Sequence, residues 1–164
     1  MKKFKDNIDD FFKWVKGTEL VELDDIDVSE DPVRPELTLG FRIQHGRKIF
    51  GLKYNEEIEA IVCIALCPEV PFTVREMDYM SQAANQDGQR GEIVVAYTVW
   101  SRKRGAGKEI IKKLAEWADK TNFARLVTLS PLTPMATHFH IRNGAKQIHI
   151  NEETQNFEYK LNND

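Results

Sequence analysis

Apolar residues recur along this chain with two periods. Phe4, Ile8, Phe11, Phe12 and Val15 come three or four apart, with Lys5, Asp9, Asp10 and Lys13 between them. That spacing predicts an amphipathic helix, stopped at Gly17 and packed on a sheet through its apolar side. A short strand follows at Leu20–Leu23. Leu37 to Gln44 alternates in part and reads as a strand, with a turn at His45-Gly46. Lys48 to Tyr54 reads as another, with a turn at Asn55-Glu56. Ile58 to Cys67 is almost unbroken apolar sequence, which marks a central buried strand. Pro68 and Pro71 end it. Val74, Met77, Met80 and Ala84 have the spacing of a short helix. Asn85 to Gly91 is polar and contains glycine, so a mobile loop is expected before a strand from Ile93 to Trp100.

The next helix is the clearest. Between Lys108 and Asn122, Ile110, Ile111, Leu114, Ala115 and Ala118 form one stripe that should face the sheet. Glu109–Lys113 and Glu116–Lys120 are spaced four apart and are expected on the wet side. Arg125 to Ser130 reads as a strand. Thr133-Pro134 then has the form of an N-cap with proline at the first helical position. That helix should run to about Asn143, with Gly144 taking a left-handed stop. Lys146–Ile150 and Phe157–Leu161 read as two last strands. No repeat, linker or low-complexity tract interrupts the chain. Its 164 residues predict one domain, residues 1–164, of α/β class with a mixed sheet.

Charge and composition narrow the function. A net charge of −3 and a pI near 5.9 argue against a general nucleic-acid coat. No apolar run reaches the length of a membrane span, and Asp6, Asp9 and Asp10 interrupt any signal peptide after Met1-Lys2-Lys3. A soluble cytoplasmic protein is therefore expected. Glu19 to Asp31 holds seven acids and no base. After the Leu20–Leu23 strand, the rest of this stretch, followed by Pro32 and Pro35, reads as an exposed acidic loop, either simply solvated or selecting a cationic substrate. Cys63 and Cys67 would share one strand face about 13 Å apart, too far to bridge. They read as buried reduced thiols. No cysteine–histidine spacing suits zinc, and His138-x-His140 lacks further ligands, so no metal is expected.

Chemistry gathers at Arg102-Lys103-Arg104-Gly105-Ala106-Gly107-Lys108, between a strand and a helix. Two glycines one residue apart allow a tight turn and close approach to a ligand. The following N–H groups open a helix and have no partner within it, so they favour an anion. With four basic side chains, this is a seat for phosphate or pyrophosphate. The Walker pattern is absent, and Ile110 stands where a dinucleotide fingerprint needs its third glycine. A plain turn with solvated basic residues is the alternative.

The pattern R-x-x-G-x-G after a strand and before a helix resembles the pyrophosphate loop of the GNAT N-acetyltransferase superfamily. The order of elements resembles the same family over most of the chain. The resemblance implies a GNAT-like fold: a mixed, mostly antiparallel central sheet flanked by helices. It implies acetyl-CoA or another acyl-CoA as co-substrate. Val99, Arg102, Lys103, Arg104, Gly105, Ala106, Gly107, Lys108 and Asn143 would then be the residues that bind it. Residues 136–145 resemble the GNAT segment that carries a proton-donating tyrosine, and His140 stands at that position.

Thr128-Leu129-Ser130-Pro131 and Phe139-His140-Ile141-Arg142-Asn143-Gly144-Ala145 also resemble catalytic segments of malonyl-CoA decarboxylases, whose catalytic domain is GNAT-like. Ala96-Tyr97-Thr98-Val99 and Asn156-Phe157-Glu158-Tyr159 are similar more loosely. By this resemblance Ser130 and His140 fall on the family's catalytic serine and histidine. The helical domain that precedes the catalytic domain in those enzymes has no counterpart here. Three functions are thus implied: acetyl transfer from acetyl-CoA to an amine, decarboxylation of malonyl-CoA through Ser130 and His140, or non-catalytic acyl-CoA binding. For transfer, Glu92 is a candidate to deprotonate the amine. The expected partners are an acyl-CoA and a small-molecule or protein amine, with a homodimer as a further option and neither nucleic acid nor membrane.

Overall fold

The computed structural model describes the backbone of residues 2–162 and the side chains of residues 7–162. Phe4 and Lys5 of the first helical stripe lie outside the described side chains. Eight strands form one sheet in the order β1-β2-β3-β4-β5-β8-β6, with β7 paired to β8. They are β1 (Glu19–Leu23), β2 (Lys48–Tyr54), β3 (Glu57–Cys67), β4 (Ile93–Ser101), β5 (Arg125–Thr128), β6 (Ser130–Pro131), β7 (Lys146–Ile150) and β8 (Thr154–Tyr159). Among the described residues, β4 and β5 pair in parallel and every other neighbouring pair is antiparallel. The helices are α1 (Lys2–Gly17), α2 (Leu39–Ile43), α3 (Val74–Ala84), α4 (Ala106–Lys120) and α5 (Pro134–Arg142). This is a mixed α/β fold, largely antiparallel in its sheet and flanked by helices.

Both sheet faces are covered, as the unbroken apolar run of β3 requires. On one face Ala60, Val62, Ile64 and Leu66 meet Ile110, Ile111 and Leu114 of α4 and Phe157 of β8. On the other, Ile61, Cys63, Ala65 and Cys67 meet Met77 of α3, Tyr97 and Leu129. Both cysteines are free thiols in that second core. Burial pushes Cys63 up to about 11 and Cys67 up to about 12, so neither is a ready thiolate.

Four local expectations are corrected. Residues 39–43 are helical rather than extended, because the Thr38 hydroxyl accepts the Phe41 N–H and caps the turn. The helical turn brings Arg42 inward. Among the described side chains of α1, Trp14, outside the predicted stripe, packs on the core, while Phe11 and Phe12 of the stripe are each 56% exposed. The 85–91 segment is tied down: Asn85 donates to the Leu66 carbonyl and accepts the Gly91 N–H. Glu109 is buried rather than wet; its Oε1 lies 3.8 Å from Lys113 Nζ, and burial raises its carboxyl above the usual range.

The acidic stretch also departs from expectation at its end. Asp31 is buried and forms an ion pair with Arg42 at 2.8 Å, both side chains fully enclosed. Its Oδ1 accepts the N–H groups of Val33 and Arg34 and the Thr98 hydroxyl. The loop is therefore pinned to the middle of β4 rather than solvated throughout. Removing one partner of a buried pair leaves a charge without compensation. Asp31→Ala should destabilise the fold by about 3–5 kcal/mol, whereas Asp24→Ala and Asp25→Ala, both exposed, should stay within about 0.5 kcal/mol. Urea unfolding of the three variants checks this.

Candidate functional site

The site is built where β4 and β5 part. Their parallel ladder runs from Ile93↔Arg125 to Ala96↔Thr128 and closes with the Leu129 N–H on the Ala96 carbonyl. Beyond that point β4 continues to Ser101, while Ser130 and Pro131 turn to pair with Gln155 and Thr154 of β8. A bulge helps this parting. The β3–β4 register slips between Cys63↔Thr98 and Ile64↔Ala96, leaving Tyr97 as the extra residue. After the bulge the alternation of β4 shifts phase, so Val99 rather than Thr98 joins the α4 face. Crevices outside the carboxyl ends of parallel strands are where open α/β sheets bind ligands.

The glycine loop lies at the carboxyl end of β4. Gly105 is left-handed, with φ of 86°, and a Cβ there would meet nothing within 4 Å. It caps α4 without a side-chain hydrogen bond. The Ala106 N–H donates to the Lys103 carbonyl and the Glu109 N–H to the Gly105 carbonyl. Among the described residues, the N–H groups of Gly105, Gly107 and Lys108 have no acceptor. Gly107 has a different reason to be glycine: a Cβ would stand 3.3 Å from the Phe139 ring of α5. Its bareness lets α4 and α5 pack.

The four cations do not act together. Arg102 is held by Glu30 at 2.7 Å and by the Ile58 carbonyl. Lys103 points to Glu59, at 3.5 Å, and over the rings of Trp14 and Tyr54. Arg104 and Lys108 are exposed and make no ion pair with any described residue. Asn143 caps the far end of α5, and its side chain has no described partner. Glu92 precedes β4, at the opposite end of that strand from the glycine loop, and faces Arg90 at 3.7 Å. About ten residues at strand rise, roughly 33 Å, separate it from the loop, so it is not brought into this site.

Ser130 and His140 lie on the α4–α5 side of the sheet without a hydrogen bond between them. Ser130 Oγ is 2.8 Å from Thr128 Oγ1, which accepts the Phe157 N–H. The Phe157 ring stacks on the His140 ring, centroids 5.0 Å apart. His140 Nδ1 is 2.7 Å from the hydroxyl of Tyr159. That hydroxyl has no other described partner, so donating to Nδ1 uses its proton; the reverse would strand a buried O–H. The proton of the imidazole then sits on Nε2. Burial lowers His140 to about 4 and raises Tyr159, so the ring is neutral at pH 7 and the phenol keeps its proton. His140 is thus a neutral N–H donor, not the imidazolium that a proton-donating histidine would supply near neutrality.

His138, two residues away on the helix, is exposed and lines a surface groove of about 550 Å3 beside Leu132, Pro134 and Ile141. Two positions apart on a helix point in different directions, so the two histidines do not form a metal pair. Among the described residues, no group of three His, Cys, Asp or Glu side chains could hold a metal ion, and no helix is long and apolar enough to cross a membrane.

Sequence reasoning missed Arg34. Its Nε donates to the Tyr97 carbonyl at 2.9 Å and its Nη2 to the Leu129 carbonyl at 3.0 Å. One guanidinium thereby spans the mouth between the parted strands. The signal was present: Arg34 is the single base between Asp24 and Glu36, set between Pro32 and Pro35.

Comparison with solved structures identifies the architecture. A coenzyme A complex of a Bacillus subtilis acetyltransferase superposes with a TM-score of 0.61 at 9% identity, covering 88% of this chain and 99% of that one. The fold is GNAT-like. A GNAT-family protein of Desulfovibrio desulfuricans gives 0.60 at 8% identity, covering 87% and 98%. Malonyl-CoA decarboxylase from Cupriavidus metallidurans gives 0.53 at 19% identity over 79% of this chain. The chain spans only 35% of that decarboxylase. No family model and no curated protein matches the sequence.

The buried imidazole has a pH signature. The unfolded chain binds a proton at His140 near 6.5, while the folded one resists it down to about 4. Stability from this group is complete above pH 6.5 and is lost as pH falls towards 4, on the order of 3 kcal/mol at most. His140→Gln should flatten that part of the stability–pH curve, as measured by denaturant unfolding between pH 4 and 7.

Proposed function

We propose that this chain is an acyl-CoA-dependent enzyme that transfers its acyl group to an amine. The observation that carries the reading is the parting of β4 and β5, with free N–H groups of α4 at one strand end and Ser130 at the other. The pyrophosphate of coenzyme A sits on the N–H groups of Gly105, Gly107 and Lys108, with Arg104 and Lys108 as its cations. Arg102 and Lys103 play a smaller part, since Glu30 and Glu59 already hold them. The pantetheine arm enters between the strands past Val99, and the thioester lies near Ser130 and His140. The amine nitrogen attacks the thioester carbon, the C–S bond breaks, and the thiolate leaves with its electron pair and takes up the proton that the amine gives up. His140 Nε2–H donates a hydrogen bond to the negative charge that develops, while Tyr159 fixes the tautomer. The acceptor is a small-molecule or protein amine.

Decarboxylation of malonyl-CoA is the second reading. What favours it is a serine hydroxyl and a neutral N–H donor on the same side of the sheet, groups suited to a thioester enolate. The likeness to a malonyl-CoA decarboxylase fold adds to it.

Binding is tested by calorimetry with coenzyme A. Arg104→Glu combined with Lys108→Glu should weaken affinity at least tenfold, about 1.4 kcal/mol, and the loss should shrink as salt rises. Arg102→Glu alone should do less. Wild-type protein that ignores millimolar coenzyme A would refute the reading.

Turnover separates the two chemistries. With an acyl-CoA and an amine panel, thiol release should need the amine. His140→Ala should lower kcat by about two orders of magnitude, the cost of one donor to developing charge. The wild-type profile should show no histidine step between pH 6 and 8. Conversion of malonyl-CoA to acetyl-CoA without amine, lost in both His140→Ala and Ser130→Ala, would instead establish decarboxylation.

A further inference from the structure

The buried cluster behind the parted strands carries more positive than negative charge. Asp31 pairs with Arg42 at 2.8 Å. Arg34 is 8% exposed and forms no ion pair with any described residue. Two guanidinium groups therefore share one carboxylate, a sum of +2 and −1, or +1. Within the buried cluster nothing offsets it: burial keeps the Cys63 thiol and the Tyr97 phenol protonated. The Glu36 carboxylate favours the charge on Arg34 from the exposed side, without forming an ion pair. Two carbonyls satisfy Nε and Nη2 of Arg34, but Nη1 has no described acceptor. Buried charges are ordinarily paired. This one has donors to spare, on a guanidinium that touches a carbonyl of each of the two parting segments. The carbonyl it holds, that of Leu129, belongs to the peptide unit joined to Ser130.

We propose that Arg34 binds a carboxylate at the free end of the acyl group, so that the substrate is a dicarboxylic half-thioester of the malonyl or succinyl class rather than acetyl-CoA. The proposal rests on the reading of this crevice as an acyl-CoA site. A carboxylate would neutralise the cluster and accept from the spare guanidinium donors, which match its geometry. The ion pair also bears on the reaction. Loss of carbon dioxide must hand the carboxylate's electron pair to the α-carbon, and a guanidinium holding that carboxylate opposes the step. Transfer leaves it untouched: the C–N bond forms, the C–S bond breaks, the thiolate leaves with its electron pair, and the amine gives up one proton. The acyl group passes to the amine with its carboxylate intact.

Calorimetric titration of the full chain with acetyl-, propionyl-, malonyl- and succinyl-CoA tests this. The wild type should bind a dicarboxylic thioester about tenfold to a hundredfold more tightly than the two neutral ones, as a charged hydrogen-bonded pair implies. Arg34→Met should abolish that preference, read as the ratio of dicarboxylic to neutral thioester affinities within the variant. Arg34→Lys, which keeps the charge but not the fork, should retain part of it. Should Arg34→Met fail to fold, the wild-type comparison and Arg34→Lys decide. Equal wild-type affinity for all four thioesters would overturn the proposal and leave the acyl-CoA reading standing, as would a preference undiminished in either folded variant. Binding of none would overturn both.

Discussion

The fold around the crevice depends on one buried carboxylate. Asp31 accepts four hydrogen bonds, from the N–H groups of Val33 and Arg34, from Thr98 and from Arg42. That uses the full capacity of an ionised carboxylate. Together the four bonds join three elements. Two shape the loop that presents Arg34, one ties that loop to β4 just past its bulge, and one seats α2 beneath the sheet. Arg42 adds to this by donating to the Arg34 and Leu37 carbonyls. Without the carboxylate, the loop would keep only the contacts of Arg34 and Glu30 to hold it against the sheet.

Most of the architecture was legible because long periodic runs report burial directly. β3, β4 and α4 could be placed from their apolar spacing, and the caps at Thr133 and Gly144 from residue type. What escaped was fixed by tertiary partners. Residues 37–44 alternate like a strand, yet a single cap at Thr38 and the pull of Asp31 on Arg42 wind them into a turn of helix. The acid-rich segment looked uniformly wet because composition averages over seven carboxylates. Only one of them, at its end, is enclosed, and no local pattern marks which one. Glu109 likewise fits an exposed ion pair by spacing, and only the neighbouring layer shows that it is covered.

At the candidate site, residue types were readable but their alliances were not. Four basic residues near two glycines suggested one anion seat, whereas Glu30 and Glu59, distant in sequence, claim two of them. Ser130 and His140 could be named from segment resemblance. Their states could not, since neutrality of the ring follows from Phe157, Phe139 and Tyr159 enclosing it. A histidine's ordinary titration range describes water, and this one has been removed from water.

The two glycines of the loop answer to different masters. Gly105 is required by backbone handedness, and Gly107 by the ring of Phe139 lying against its α-carbon. Neither requirement involves a bound molecule. A descendant of this chain that had lost every ligand would still be favoured to keep both residues, because a side chain would strain the turn at position 105 and press on the Phe139 ring at position 107. Retention of the glycine pattern in such sequences therefore records an intact scaffold. Evidence of a working site has to come from positions with no duty to the scaffold, and here those are the exposed cations Arg104 and Lys108.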